Sequence, residues 1–343
     1  MDSANLRLTI DLTALASNWR SLAAASGPAA CGAAVKADSY GLGAGPVVSA
    51  LARAGCRDFF VASWAEAAAL GAMPDGARLA VLHGVQDGEM ATALASPAVP
   101  VLCTPAQVAA WRAATTRPCD VMVDTGINRL GLARGELDLL DGLAIDTLHS
   151  HLACAETLAD PMNTRQLAAF REVAAAVPAR RASLANSAGI ALGSDYAFGL
   201  TRPGIGLYGG VVGATPAAGV KPVAGIAARV VQVRDVAVGD SVGYGATWTA
   251  ERPTRVAVLN LGYADGYPRS MSAGGCIFAG DLACPVIGRV SMDLVAVDVT
   301  GADVPEGTWL RIDFDLVRAA AASGRSQYEL LTGLGHRYAR VYQ

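Results

Sequence analysis

Ala33-Ala34-Val35-Lys36-Ala37-Asp38-Ser39-Tyr40-Gly41-Leu42-Gly43-Ala44-Gly45 is the stretch on which the fold turns. An apolar run rises into a single lysine and then breaks into a glycine-rich turn. The run reads as a buried strand, and Asp, Ser and Gly read as the loop leaving its end. In α/β proteins the space beyond the strand ends is where ligands bind. The chain carries two lysines, Lys36 and Lys221, against twenty-five arginines. Arginine supplies nearly all the positive charge, yet an amine is kept here. Lysine, unlike arginine, can shed its proton and form an imine. A lysine closing a strand is more often a solvated end, so the rest of the chain has to decide.

Outward from this stretch, strand-like and helix-like segments alternate. Strands are expected at Ala30–Lys36, Arg57–Ser63, Arg78–His83, Val99–Cys103, Cys119–Asp124, Ile145–His151, Ala182–Asn186 and Gly204–Tyr208. Alanine-rich helices lie between most of them, for example Pro46–Ala54, Ala65–Leu70, Pro105–Ala113 and Asn163–Val177. Thr104-Pro105 pairs an N-cap residue with proline at the first helical position. This alternation favours a (β/α)8 TIM-like barrel, with a doubly wound sheet as the alternative. Lys36, His83, Asp124, His151 and Asn186 would then ring one mouth.

Character changes near Gly209–Val223, rich in Gly, Ala and Pro, which reads as a linker. Beyond it, Ile226–Val236, Arg255–Leu261, Pro285–Val290, Leu294–Val299 and Thr308–Ile312 read as strands punctuated by turns. A helix near Tyr328–Leu331 and a strand at Arg337–Tyr342 close the chain. The expected domains are a barrel over 1–215 and a mostly β domain over 216–343. The opening strand, Leu6–Leu12, precedes a helix beginning near Thr13.

With 343 residues, 52% of them hydrophobic and 17% charged, the chain can bury large cores and does not read as disordered. The net charge of -3 is spread along the chain, so no nucleic-acid footprint is expected. No apolar run is long enough for a bilayer, and the first residues lack the pattern of a signal peptide. Seven scattered cysteines without a CxxC pair suit reduced thiols in the cytoplasm.

Three further motifs carry chemistry. Arg202-Pro203-Gly204-Ile205-Gly206-Leu207-Tyr208-Gly209 offers backbone N–H groups to an anion, and Asn186-Ser187-Ala188-Gly189 adds a hydroxyl and a helix N-terminus. Val242-Gly243-Tyr244-Gly245 sets a tyrosine between glycines. Together with Val35-Lys36-Ala37-Asp38 and Tyr40-Gly41-Leu42-Gly43, these resemble the alanine racemase family over nearly the whole chain, in family order.

The resemblance implies a pyridoxal phosphate (PLP) enzyme interconverting L- and D-alanine. Its N-terminal strand would join the β domain, and its homodimer would share active sites. Lys36 would attach PLP and act as one base. Tyr244 of the partner subunit would be the other base. Free tyrosine holds its proton at neutral pH, so it needs a cationic or hydrogen-bonding neighbour, for which the resemblance offers His151. Tyr40, His151, Asn186, Ser187, Arg202, Gly204 and Ile205 would hold the cofactor, with Arg202 facing the pyridine nitrogen. Arg129, in Asp124-Thr125-Gly126-Ile127-Asn128-Arg129, and the backbone of Met292, in Ser291-Met292-Asp293, would meet the substrate carboxylate. Tyr263, Arg269 and Arg289 match an access channel. No metal is expected, although His149 and His151 are spaced to share a strand face. The rivals are a racemase of another small amino acid such as serine, and a PLP-binding protein that is not a racemase. The chain departs from the family pattern at Met122, where many members carry a carbamylated lysine; at Ser183, often histidine; and at His336, often tyrosine.

Overall fold

A computed structural model of the chain describes residues 4–213 and 220–343. It divides into two compact units, Ala14–Lys221, and Pro222–Gln343 together with the N-terminal stretch up to Thr13. Part of the expected linker, residues 214–219, and the boundary expected at 215/216 lie outside the described residues.

The first unit is built on parallel strands in the order Ala33–Ala34, Asp58–Val61, Arg78–Val81, Val99–Leu102, Cys119–Met122, Ile145–His149 and Arg181–Ser183. Leu200–Thr201 closes the ring. It runs parallel to Ala30–Cys31 on one side. On the other, the N–H groups of Gly199 and Arg202 donate to the carbonyls of Ala182 and Ala185 at 3.0 and 2.8 Å. Parallel strands are buried on both faces, which is why they read as apolar runs; all of Asp58–Val61 is buried. Thr104 caps Pro105–Ala114 as its sequence requires, accepting from the N–H of Gln107. Two expectations need correction. The eighth strand is not Gly204–Tyr208: it ends at Thr201, and Ile205–Tyr208 forms a 3-10 turn. Pro203 has no N–H to donate and Gly204 takes φ −126°, ψ −91°, so the ladder stops at this turn. Likewise, the first strand stops short of Lys36, which opens a turn.

In the second unit, antiparallel pairing links Thr254–Leu259, Val295–Asp298, Leu282–Ile287, Cys276–Ala279, Trp309–Ile312 and Ala224–Val236, and the last of these returns to Thr254–Leu259. A bulge between Val230 and Gln232 lets the long strand serve two neighbours. Leu6–Ile10 pairs antiparallel with Ala224–Val236 and parallel with Ala339–Tyr342. Its alternation buries Leu6, Leu8 and Ile10. The strand Cys276–Ala279 and the helix Leu316–Ser323, capped by Asp315, were not expected from sequence. No described helix is long and apolar enough to cross a membrane.

Candidate active site

Lys36 leaves the barrel wall at the end of the first strand, and the backbone then does something unusual. Ala37, Asp38, Ser39 and Tyr40 all have φ between 52° and 57°. None is glycine, and each costs roughly 1–2 kcal/mol in this left-handed conformation. Hydrogen bonds hold the turn: Ser39 N–H to Val35 O at 2.9 Å, Gly41 N–H to Ala37 O at 2.8 Å, and Ala44 N–H to Asp38 Oδ1 at 2.7 Å. At its end the Tyr40 ring packs on Tyr208, centroids 4.7 Å apart, and Tyr208 Oη donates to Ala34 O at 2.8 Å.

Lys36 is exposed to solvent at the mouth, yet its amine is hemmed in enough to lose hydration. That burial lowers its affinity for a proton, Arg129 lowers it further, and Glu66 opposes both. His151 is pushed down to about 3 by burial, then by the charges of Arg202, Arg129 and Lys36. These mutual fields bring Lys36, Arg129, His151 and Arg202 within reach of one another. Arg202 is buried, and burial brings it down to about 10, with Asp120 opposing. Its Nη1 donates to Ser183 Oγ and its Nη2 to Ser150 O at 2.7 Å. Ser183 Oγ in turn donates to Leu200 O at 2.6 Å. A hydroxyl that both accepts and donates thus supports Arg202 where many family members have histidine. Behind it lies His149, fully buried, with Nε2 3.1 Å from Asp120 Oδ2; Asp120 also takes Arg78 at 2.5 Å. The His149 ring is therefore committed to Asp120, not paired with His151.

A donor cradle lies along the Arg-Pro-Gly turn. Ser187 Oγ accepts from the N–H groups of Gly204 at 2.9 Å and Gly206 at 3.2 Å. Asn186 caps the short helix Ser187–Ile190 through the N–H of Gly189. A Cβ at Gly204 would sit 2.2 Å from Tyr40 Oη, so glycine is what lets that hydroxyl in. With the Gly204 N–H held by Ser187 Oγ, the hydroxyls of Tyr40 and Ser187 and the N–H of Ile205 beside them suit a phosphate.

Arg129 sits in a loop shaped by Asp124, whose carboxylate accepts from the N–H of Gly126 at 2.7 Å and of Arg129 at 3.0 Å. The Arg129 side chain is exposed. Met122 is buried among Phe60, Ala80, Val101, Cys103 and Leu200, and a thioether cannot pair with a guanidinium. Gln166 braces this side from beneath, donating to His151 O at 2.9 Å and accepting from Ala153 N–H at 2.8 Å.

The remaining candidates belong to the second unit. Tyr244 is 73% exposed, in a turn between glycines. A Cβ at Gly245 would lie 3.2 Å from the Arg289 guanidinium, so Arg289 sits against the turn that carries Tyr244. Met292 is 53% exposed, but its backbone is fixed: its carbonyl accepts from Ala264 N–H at 3.0 Å, and Ser291 O accepts from Tyr263 N–H at 3.1 Å. Buried Asp265 accepts from Gly262 N–H at 2.9 Å and from Arg337 at 2.6 and 2.7 Å; Arg337 also reaches Asp293 at 2.6 Å. Arg269 and His336 are exposed. Sequence reasoning missed Glu66, Asp120, Asp265 and Arg337. Only Glu66 carried a local signal, and that signal reads as helix capping.

Comparison with known proteins accords with this geometry. The profile of the alanine racemase N-terminal domain matches residues 10–211, and that of the C-terminal domain matches residues 223–342. A biosynthetic alanine racemase of Agrobacterium fabrum is 42% identical, covering 99% of this chain and 94% of its own. An alanine racemase of Cereibacter sphaeroides is 43% identical, covering 99% and 98%. Among solved structures, the Bartonella henselae alanine racemase with covalently bound pyridoxal phosphate superposes with a TM-score of 0.92 at 36% identity, over 99% of this chain and 100% of that one. In both of its domains, the chain belongs to the alanine racemase family.

Proposed function

We propose that the chain interconverts L- and D-alanine with pyridoxal phosphate as cofactor, using Lys36 and the partner subunit's Tyr244 as bases. The observation that carries this is a single turn joining two halves of a cofactor site. It begins at Lys36, whose amine burial makes a weaker base than a free lysine, and ends at Tyr40, whose hydroxyl meets the Gly204 cradle. Lys36 would hold the aldehyde end. Tyr40, Ser187, Gly204 and Ile205 would hold the phosphate, with Asn186 fixing the helix that carries Ser187. His151 would pack on the ring and Arg202 would face its nitrogen.

When bound, the cofactor supplies a sink for the electron pair left as the α-proton departs. The chain's own residues do the rest. Arginine is a donor only, and Arg202, held by Ser183 and Ser150, keeps its proton at neutral pH and would offer an N–H, not an acceptor, to the ring nitrogen. Arg129 and the N–H of Met292 orient the substrate carboxylate, since guanidinium and backbone donors suit its two oxygens. Lys36 moves a proton at one face of the α-carbon and Tyr244 at the other. Arg289 lies against the turn that carries Tyr244. Tyr263, Arg269 and Arg289 line the approach.

We place the enzyme in the cytoplasm as a homodimer whose sites draw on both subunits; the free cysteines support the first statement. The domain division proposed is 1–215 and 216–343, with the N-terminal strand in the β domain. The purified protein should show a visible absorption band that borohydride removes, and it should form D-alanine from L-alanine faster than D-serine from L-serine. No D-alanine from protein supplied with pyridoxal phosphate would refute the activity. Faster serine turnover would favour the serine reading.

A further inference from the structure

Ser63-Trp64-Ala65-Glu66 has the spacing of a capping box, in which the glutamate turns back to the N–H of the N-cap residue. Half of that box forms: Ser63 Oγ accepts from Glu66 N–H at 3.3 Å. The carboxylate goes elsewhere. Its Oε2 accepts from Ala62 N–H at 2.6 Å, and its Oε1 accepts from Ala37 N–H at 2.8 Å. Ala37 directly follows Lys36 and is the first residue of the left-handed turn. Helix capping needs no bond to a residue 29 positions upstream. Bonds from N–H to a carboxylate are roughly twice as strong as neutral ones, so this one is suited to holding a strained backbone.

We propose that Glu66 is a positioning residue for Lys36: by tying the N–H of Ala37 to that of Ala62, it fixes where the left-handed turn starts and where the lysine leaves the barrel wall. This rests on Lys36 being the reacting amine. The charged and titratable groups facing that amine are Arg129, His151 and Glu66. Burial and Arg129 both favour the neutral amine, and Glu66 opposes them. One carboxylate thus places Lys36 and offsets part of the loss of proton affinity that burial and Arg129 cause.

The test uses the full chain with cofactor removed and exploits its two lysines. Trace acetylation with acetic anhydride across a pH series, read by peptide mass spectrometry, reports Lys36 directly, with exposed Lys221 as internal reference. Glu66→Gln removes the charge and one of the two acceptor oxygens. The Lys36 labelling curve should move to lower pH while that of Lys221 stays. A Lys36 curve that superposes on the wild type overturns the proposal. If Glu66→Gln does not fold, Glu66→Asp keeps the charge but is too short to span both N–H groups. Reloaded with cofactor, its kcat should fall about ten- to hundredfold, the scale expected of a displaced reacting group, with a smaller change in KM. A wild-type kcat in Glu66→Asp overturns the proposal as well. Acetylation needs no turnover, so the Glu66–Lys36 link is decided even if the chain proves not to racemise alanine.

Discussion

In the barrel mouth, side chains and carbonyls brace a functional side chain and the backbone beside another: Arg202 by Ser183 and Ser150, and the Ala37 N–H next to Lys36 by Glu66. In the β unit the bracing does not reach the candidate side chains. Asp265 and Arg337 lock the turn that carries Met292, while the side chains of Tyr244, Tyr263 and Met292 stand exposed. The bracing of the barrel mouth lies within its own unit. The β turns leave Tyr244, Tyr263 and Met292 open to solvent. A base exposed to water is poorly placed for proton transfer, because a reacting site gains strength by excluding water. On our reading a second subunit supplies that cover, and each prediction below strains one side of the contrast.

The largest effect is expected at Lys36. Lys36→Ala should purify without the borohydride-sensitive band and lose racemisation outright. Mass spectrometry of borohydride-treated protein checks this, since only Lys221 remains to take an adduct. An adduct at its normal level in the variant would move the cofactor away from the barrel mouth.

Tyr244→Phe comes next. It keeps the ring and removes one base, and general acid–base help is typically worth about 10²–10⁴-fold. Equilibrium cannot change, so net racemisation must fall equally in both directions. Exchange of the α-proton with D2O separates the faces. By our assignment Tyr244 serves L-alanine and Lys36 serves D-alanine, so exchange should nearly vanish for the L form and persist for the D form. Equal residual exchange from both would sink the one-base-per-face assignment and leave the cofactor assignment standing.

Mixing the two inactive variants should recover part of the activity. A mixed dimer has one site with Lys36 from one subunit and Tyr244 from its partner. No recovery after subunit exchange, proven by mass or fluorescence, would mean that the β turns are not completed by a second copy.

Much of this was legible in the sequence, and the illegible parts have physical causes. Barrel strands buried on both faces read as apolar runs, so their number and order came through. The Lys36 turn did not, because positive φ is read from Gly or Asn, and here Ala37, Asp38, Ser39 and Tyr40 adopt it. The eighth strand was set too late because the apolar Ile205–Tyr208 segment looks like a strand, yet follows Pro203 and Gly204. Glu66 was hidden by its resemblance to an ordinary cap. Ser183 was visible as a departure, but only its two hydrogen bonds explain how serine serves.

A smaller effect is expected at Arg129. Buried Met122 offers it no anion, so a solution anion should take that place. In chloride-free buffer KM for alanine should rise several-fold and recover on adding chloride. If chloride changes neither KM nor rate, and a crystal structure finds only protein carboxylate at Arg129, the loop is self-sufficient.

The smallest effect needs no chemistry and tests the contrast through stability. His149 is fully buried, and burial above all holds it down to about 4, although Asp120 pulls the other way. An unfolded histidine takes its proton near 6.5. Between those values the unfolded chain binds a proton that the folded barrel refuses, so barrel stability is complete above about pH 6.5 and falls as the pH drops toward 4. The slope limit is about 1.4 kcal/mol per pH unit for one such group. His151, shifted in the same direction, adds to it. Burial raises Asp120, but His149 and Arg78 outweigh it and hold the carboxyl low, so its contribution survives this window and is lost only below the ordinary carboxylate range. The β unit has one described histidine, His336, and it is exposed. Hydrogen-exchange protection factors, corrected for intrinsic rates, should therefore fall between pH 6.5 and 4.5 in Ile145–His149 more than in Thr254–Leu259. An equal fall in both strands would mean that the two units open together, and the contrast between them would then belong to the site alone and not to the stability of the fold.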